Sequence, residues 1–315
     1  LVRTLLSEFV DDLPGVGAMS ETLGLLGLGI MGSAIAPNLL KAGFAVVGFD
    51  PSPAGRERLL SVGGKPVDSP RAVAQTADVL ISLLPSAQAL QEVIQGPEGL
   101  LASGRSGLIL IESSTLAIDD KMAARASGAP ALVVLDCPLS GTGAQAVNKD
   151  LVVYASGDSA AIARCRSIFD GFARAHHDLG EFGNGSKMKF VANLLVAIHN
   201  VAAAEAMVLG MKSGLDPQTL YRVIADGAGG SRMFSVRGPQ MVADHYEPAT
   251  MKIDVWQKDM KIITEFAASL NSPTPLLNAS APVYTAALAQ GRGHQDTAAV
   301  CAVLAELAHL NRGTS

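Results

Sequence analysis

Two periodicities divide the chain. Up to about residue 180, short runs that are apolar throughout alternate with stretches of helical character. The apolar runs open the segments "TLGLLGLG" (22–29), "AVVGFD" (45–50), "ADVLISLLP" (77–85), "GLILIESST" (107–115) and "ALVVLDCPLSG" (131–141). Between them stand segments such as "SPRAVAQT" and "IDDKMAARA". Strands that are apolar on both faces and separated by helices predict a parallel sheet covered on both sides. Beyond residue 180 the strand pattern stops. The run "SKMKFVANLLVAIHNVAAAEAMVLGMKSG" (186–214) has no Pro, and no internal Gly before Gly210. "DPQTLYRVIADG" follows, with Asp216 as N-cap and Pro217 at the first helical position. "DVWQKDMKIITEFAASL" and "DTAAVCAVLAELAHL" predict further helices.

The first apolar run leads into "GLGIMG", in which Gly27, Gly29 and Gly32 have G-x-G-x-x-G spacing. Gly27 makes a tight turn, Gly29 lets a pyrophosphate approach the backbone, and Gly32 lets the following helix pack on the sheet. Asp50 ends the second strand, where a carboxylate accepts from adenine-ribose hydroxyls. Asp50 would repel a 2'-phosphate, and Pro51, Ser52 and Pro53 offer no arginine to receive one. Arg56 is the nearest candidate, one turn into the next helix. This favours NAD over NADP. Ligands of such sheets bind beyond the carboxyl ends of the strands. That places Leu84–Pro85, Ser114–Thr115 and Ser140–Gly141 along one cleft. The expected dinucleotide contacts are Gly27, Leu28, Gly29, Ile30, Met31, Gly32, Asp50, Leu84, Pro85 and Thr115.

The predicted fold is therefore α/β: a Rossmann-type doubly wound parallel sheet, then an all-helical C-terminal domain, joined by a long interdomain helix. Expected boundaries are 19–182 for the dinucleotide domain and 183–315 for the helical domain. Residues 1–18 are expected to form an N-terminal extension of little consequence, with the functional chain starting near Met19. The segment lacks the basic start and continuous apolar core of a signal peptide.

Composition narrows the function. Net charge is -5 with no basic block, which argues against nucleic acid as a partner. By run length, no apolar stretch reaches the roughly 18 residues needed to span a membrane. Cys137, Cys165 and Cys301 are far apart in sequence and read as small buried hydrophobes of a reducing compartment, so a cytoplasmic location is expected. The six histidines are scattered, and no metal is implied.

The long helix carries an unusual stripe. At about 100° per residue, Lys189, Asn193, Val196 and Asn200 share one face, while Lys187 points away. A partly solvated polar edge would explain the stripe equally well on these residues alone.

Four segments, in order, resemble the β-hydroxyacid dehydrogenases, from about Thr22 to about Leu310. "GLGIMGSAIAPNLLKAG" matches that family's cofactor loop, and "DCPLSGTGAQA" resembles its substrate segment, D-x-P-x-S-G-G. "GNGSKMKFVAN" resembles its catalytic segment, G-x-G-x-x-x-K-x-x-x-N, and "WQKDMK" its later K-D segment. The resemblance implies that Lys189, not Lys187, is the general acid/base. It implies that Ser140 and Gly141 hold the substrate carboxylate, Asn193 a substrate oxygen, and that Lys258 approaches the cofactor beside Asp259. Thr142 stands where many relatives have a second glycine, and Ala192 where many have Asn, so substrate identity stays open. "AGGSRMFSVRG" resembles the threonate-dehydrogenase branch and the lysine segment the semialdehyde-reductase branch. Thr142, Ser231 and Phe234 complete the expected substrate contacts.

The implied activity is hydride transfer between NAD and a small hydroxyacid, similar to 3-hydroxyisobutyrate or threonate, with a Lys189 pKa below its ordinary value. The alternative is an NADPH-dependent reductase of small aldehyde acids such as succinic semialdehyde, glyoxylate or tartronate semialdehyde. A non-enzymatic dinucleotide-sensing module would be expected to lose the lysine. A homodimer or homotetramer is expected, with Phe190, Leu194, Leu195, Ile198 and Met207 as apolar material for the interface.

Overall fold

A computed structural model describes residues 21–312. The expected extension 1–18 lies outside them. The first part alternates strand and helix: β1 (Thr22–Leu26), α1 (Ile30–Lys41), β2 (Ala45–Phe49), α2 (Pro53–Ser61), β3 (Lys65–Pro66), α3 (Pro70–Thr76), β4 (Val79–Ser82), α4 (Ala87–Gln95), β5 (Leu108–Glu112), α5 (Ile118–Gly128) and β6 (Leu132–Asp136). These six strands form one sheet in the order β3-β2-β1-β4-β5-β6, with every neighbouring pair parallel. Leu23, Leu25, Leu26, Leu80, Ile81, Leu110 and Ile111 are fully buried, which is why these runs are apolar on both faces. Strand order reverses between β1 and β4, and the crevice at such a switch point is where ligands bind.

The chain does not pass directly from β6 to the helical half. It first builds β7 (Leu139–Ser140), α6 (Gly143–Val147), β8 (Val152–Ala155), α7 (Ser159–Arg164), α8 (Arg166–Phe172) and β9 (Ala175–Asp178). The three strands form a separate sheet, with β7 antiparallel and β9 parallel to β8. Sequence reading missed this sheet and placed Ser140–Gly141 at the end of a main-sheet strand. Pro138, which has no N–H to donate, follows the last main-sheet contact, Cys137 N–H to Glu112 O. Ser140 belongs to the small sheet instead.

The remaining elements are helices: α9 (Asn184–Lys212), α10 (Pro217–Asp226), α11 (Arg232–Ala243), α12 (Ile253–Ser269), α13 (Pro275–Ala289) and α14 (Val300–Leu307). Helix α9 has 29 residues and packs against all five of the others. By length and composition alone α9 is long and apolar enough to cross a membrane, contrary to the run-length reading, as the core helix of a folded domain also can be. Here it is the central helix of an apolar cluster that includes Phe190, Ala197, Met207, Trp256 and Tyr284. Asn200 shares the Lys189 face of α9 but lies farther along it. It does not face the cleft: its amide donates to Tyr284 Oη (3.0 Å) and Thr297 O (2.8 Å) inside the helical core.

Candidate active site

The loop from β1 to α1 is shaped by two glycines. Gly27 has φ +95°, and a Cβ there would lie 2.3 Å from Leu83 O. A Cβ at Gly32 would lie 2.1 Å from Gly27 O, so α1 starts against the turn itself and not merely against the sheet. Gly29, the N-cap of α1, has open space where a side chain would stand, and no acidic residue occupies the first turn. A helix N-terminus with free backbone N–H groups and no competing carboxylate suits an anionic pyrophosphate.

Above this loop lies a cleft of about 700 Å³. Gly27, Gly29, Ile30, Met31, Gly32, Asp50, Leu84, Pro85, Thr115 and Lys258 all line it. Leu28 does not. Its side chain is fully buried in the core below the loop, and its N–H donates to Asp50 Oδ2 at 2.7 Å. Asp50 also accepts from Ser52 N at 2.8 Å. A carboxylate has about four acceptor positions, so two remain for ribose hydroxyls. Arg56 is turned onto the Asp50 and Pro51 carbonyls. Arg58 sits nearer the loop, donating to Leu28 O at 2.9 Å and to Ser33 Oγ at 3.0 Å.

The far wall of the cleft is Thr250, Met251, Lys252 and Val255, from the α11–α12 connection and the start of α12. Sequence reasoning missed these four. The only signal was their position just before "WQKDMK". Thr250 and Met251 are held by a buried ion pair: Arg237 Nη1 meets Asp296 Oδ1 at 2.6 Å, and Asp296 Oδ2 accepts from Thr250 N, Thr250 Oγ1 and Met251 N.

Lys189 is 8% exposed, whereas Lys187 is exposed and donates to Asn184 Oδ1. Lys189 Nζ donates to Leu139 O at 2.5 Å, at the entrance to β7 and the Ser140–Gly141 segment. Asn193 Nδ2 donates to Asp259 Oδ2 at 3.2 Å, and Asp259 Oδ1 lies 3.2 Å from Lys258 Nζ. Lys258 donates in turn to Thr115 O. The two lysines, the amide and the carboxylate thus form one cluster at the edge of the cleft. Burial pulls the Lys189 pKa down to about 8; Asp259 opposes this, while Lys258 and Lys121 reinforce it.

The expected substrate contacts divide. Gly141 has φ +132° and follows Leu139 closely, so it and Ser140 stand beside Lys189. Thr142 is buried, and its N–H is taken by Gln145 Oε1 at 3.1 Å. Its hydroxyl sits in capping-box relation to Gln145 without a hydrogen bond of good geometry. Ser231 is the N-cap of α11, accepting from Phe234 N, and Phe234 is buried in the helical core, stacked on Tyr221. Neither lines the cleft, nor do Ser140, Gly141, Thr142, Lys189 or Asn193; Asn193 reaches it through Asp259, which with Lys258 does line it.

A glycine-loop cleft in a parallel sheet, closed by helices that present a buried lysine, defines a dinucleotide-dependent oxidoreductase. Comparison with known proteins narrows the class. Residues 22–182 match the NAD binding domain of 6-phosphogluconate dehydrogenase, and residues 183–304 match the NAD-binding domain of NADP-dependent 3-hydroxyisobutyrate dehydrogenase. L-threonate dehydrogenase of Cupriavidus necator is 34% identical over 284 residues, 90% of this chain and 95% of that one. Glyoxylate/succinic semialdehyde reductase 2 of Arabidopsis thaliana is 30% identical, over 90% of this chain and 79% of its own. The crystal structure of 3-hydroxyisobutyrate dehydrogenase from Salmonella typhimurium superposes with TM-score 0.81 at 30% identity, covering 90% of this chain and all of that one. The chain belongs to the β-hydroxyacid dehydrogenase family, NAD(P)-dependent enzymes that act on the CH–OH group of hydroxyacids.

Proposed function

We propose that this chain oxidises a small hydroxyacid with NAD, with Lys189 as the general base. The observation that carries this is the placement of Lys189: a buried amine, pKa about 8, at the junction of the dinucleotide cleft and the Ser140–Gly141 segment. The residues around the cleft fit a dinucleotide, because Gly29 leaves its approach open and Asp50 keeps free acceptor positions. When bound, the nicotinamide supplies the hydride acceptor. Ser140 and Gly141 hold the substrate carboxylate, since the Thr142 N–H is already engaged. Asn193, oriented by Asp259, holds a substrate oxygen. Lys189 Nζ takes the hydroxyl proton and returns it to solvent; in the reverse direction the protonated amine donates to the carbonyl oxygen. General acid–base assistance of this kind contributes roughly 10²–10⁴ in rate.

The preference for NAD belongs to this reading and rests on Asp50, whose charge disfavours a 2'-phosphate. Arg58, beside the loop, favours the alternative, an NADPH-linked reductase of small aldehyde acids, as do the match of residues 183–304 to an NADP-dependent enzyme and the similarity to a semialdehyde reductase. The substrate is of the size of L-threonate or 3-hydroxyisobutyrate, the compounds named for the relatives above. The division at residues 182/183, the homodimer or homotetramer and the cytoplasmic location are parts of the same reading. Apolar groups left uncovered along α9 support the oligomer: Val191 is 56% exposed, Leu195 47% and Leu209 73%. Phe190 and Met207, expected at that interface, are instead buried within the subunit. Free, buried Cys137, Cys165 and Cys301 support the location.

The test is a panel of C3–C5 hydroxyacids assayed with NAD and with NADP across pH 6–10. Oxidation requires neutral Lys189, so its rate should rise with pH through a midpoint near 8, and reduction should fall through the same region. Turnover only with NADP would reverse the cofactor assignment, and a flat pH profile would remove Lys189 from the role.

A further inference from the structure

One group of buried charges is not used by the reaction as described. Glu112 ends β5, Asp136 ends β6 and Lys121 lies on α5; all three are fully buried. Lys121 Nζ is 2.6 Å from Glu112 Oε2 and 2.8 Å from Asp136 Oδ1. From Glu112 the contacts run toward the cofactor cleft. Glu112 Oε1 accepts from Ser114 N at 2.9 Å, and Ser114 Oγ accepts from Leu84 N at 2.8 Å. Ser114 and Leu84 both line the cleft. From Asp136 they run toward the catalytic helix. Asp136 Oδ2 accepts from Ser186 N at 2.7 Å and Oδ1 from Ser186 Oγ at 2.8 Å. Ser156 Oγ ties the neighbouring Gly185 N–H to the same carboxylate.

We propose that Lys121, through Glu112 and Asp136, is a positioning residue for Lys189, forming a buried polar spine between the cofactor wall and the first turn of α9. The inference rests on the role of Lys189 given above. Ser186 precedes Lys189 by three residues, about one helical turn. Leu139, whose carbonyl receives Lys189 Nζ, follows Asp136 by three residues. Asp136 therefore fixes both ends of the Lys189–Leu139 contact. A Cβ at Gly185 would lie 2.6 Å from Asp136 O and 2.4 Å from Tyr154 O, so the helix start is pressed directly onto β6 and β8.

Stability alone does not account for three buried charges, because well-packed apolar side chains of similar volume often serve it as well or better. What the charges add is directional: Asp136 accepts from Lys121, Ser186 and Ser156, while Glu112 Oε2 meets Lys121 as an ion pair without a well-formed hydrogen bond, so the carboxylates fix which groups stand where. Burial by itself would lower the Lys121 pKa, but the Glu112 and Asp136 carboxylates outweigh it and hold the amine protonated. Lys121 also acts on Lys189 by charge, in the same sense as Lys258 and against Asp259.

The test uses the full chain in two forms. Glu112→Gln/Lys121→Met/Asp136→Asn removes every charge of the spine at once, leaving no buried ion unpaired. Ser186→Ala removes one contact and no charge, and serves if the triple variant does not fold. Activity is measured on whichever of L-threonate, L-serine and 3-hydroxyisobutyrate the unaltered protein oxidises fastest. Amide exchange is followed in parallel. For the triple variant, kcat should fall at least about tenfold with KM changed by less, since a displacement near 1 Å of a catalytic group suffices for such losses. Ser186→Ala should show a smaller loss of the same kind. Exchange should quicken at residues 186–190 and not in α13 or α14; a merely structural role would quicken it throughout or leave kcat alone. Either folded variant with unaltered kcat and unaltered exchange at 186–190 overturns the proposal. Lys189→Ala in the same assay separates the claims. If it is inactive while both variants match the unaltered protein, the spine fails alone; if it is active, the role of Lys189 fails.

Discussion

Replacing Asp50 by Ala removes an acceptor with two duties. In the structure its carboxylate receives Leu28 N–H at 2.7 Å and Ser52 N–H at 2.8 Å. The Leu28 N–H, within the cofactor loop, loses its acceptor with the carboxylate, and an unsatisfied buried donor costs about 1–3 kcal/mol. The melting temperature should fall accordingly. The second duty is to the adenine ribose. Hydrogen bonds to a charged group are each worth about 1.5–3 kcal/mol. With one such bond lost, the Kd for NADH should rise roughly tenfold to a hundredfold, at about 1.4 kcal/mol per factor of ten. NADPH binding should strengthen relative to NADH, because the repulsion of the 2'-phosphate goes with the carboxylate. Titration of bound NADH and NADPH by fluorescence, beside a thermal melt, measures all three. An Asp50→Ala protein with unchanged affinity for NADH, or an unaltered enzyme that already prefers NADPH, would refute the reasoning.

Two further outcomes follow from the same geometry. Gly32→Ala should fail to fold or melt far lower, since its Cβ would stand 2.1 Å from Gly27 O, whereas Gly29→Ala has room and should melt near the unaltered protein while binding NADH more weakly; calorimetry and fluorescence titration separate them. Arg237→Met leaves Asp296 charged and buried without its partner, a loss of about 3–5 kcal/mol, so denaturant unfolding should shift strongly, and NADH affinity should fall as the Thr250–Lys252 wall loosens.

The parts that sequence reading recovered were those that depend on local pattern. Fully buried strands had to be apolar throughout, so β1, β2, β4, β5 and β6 were legible as runs. The glycine loop was legible because sterics allow nothing else at Gly27 and Gly32. Helical phase put Lys189 and Lys187 on different faces, the family resemblance chose Lys189 between them, and the two do differ in burial. What escaped depends on contacts distant in sequence. The small sheet β7–β9 consists of strands of two to four residues, too short for a period to register. Asn200 shares a helical face with Lys189, but phase does not say where along α9 the cleft ends and the core begins. Phe234 and Leu28 lie in or beside motifs, yet their side chains turn inward to pack. Glu112, Lys121 and Asp136 read as a strand end, a helix residue and a strand end. Only the fold brings three charges spread over 24 residues into contact.

The central claim is that Lys189, and no neighbouring lysine, moves the proton. It is tested most directly by measuring kcat and the NADH dissociation constant for Lys189→Ala and Lys187→Ala together. Lys189→Ala should lose roughly 10²–10⁴ in kcat and bind NADH as before, because Nζ meets Leu139 O and not the dinucleotide loop. Lys187→Ala should be indistinguishable from the unaltered protein, since its amine is exposed and donates to Asn184 Oδ1, away from the Lys189 cluster. An inactive Lys187→Ala, or a Lys189→Ala that keeps most of its turnover, would contradict the account.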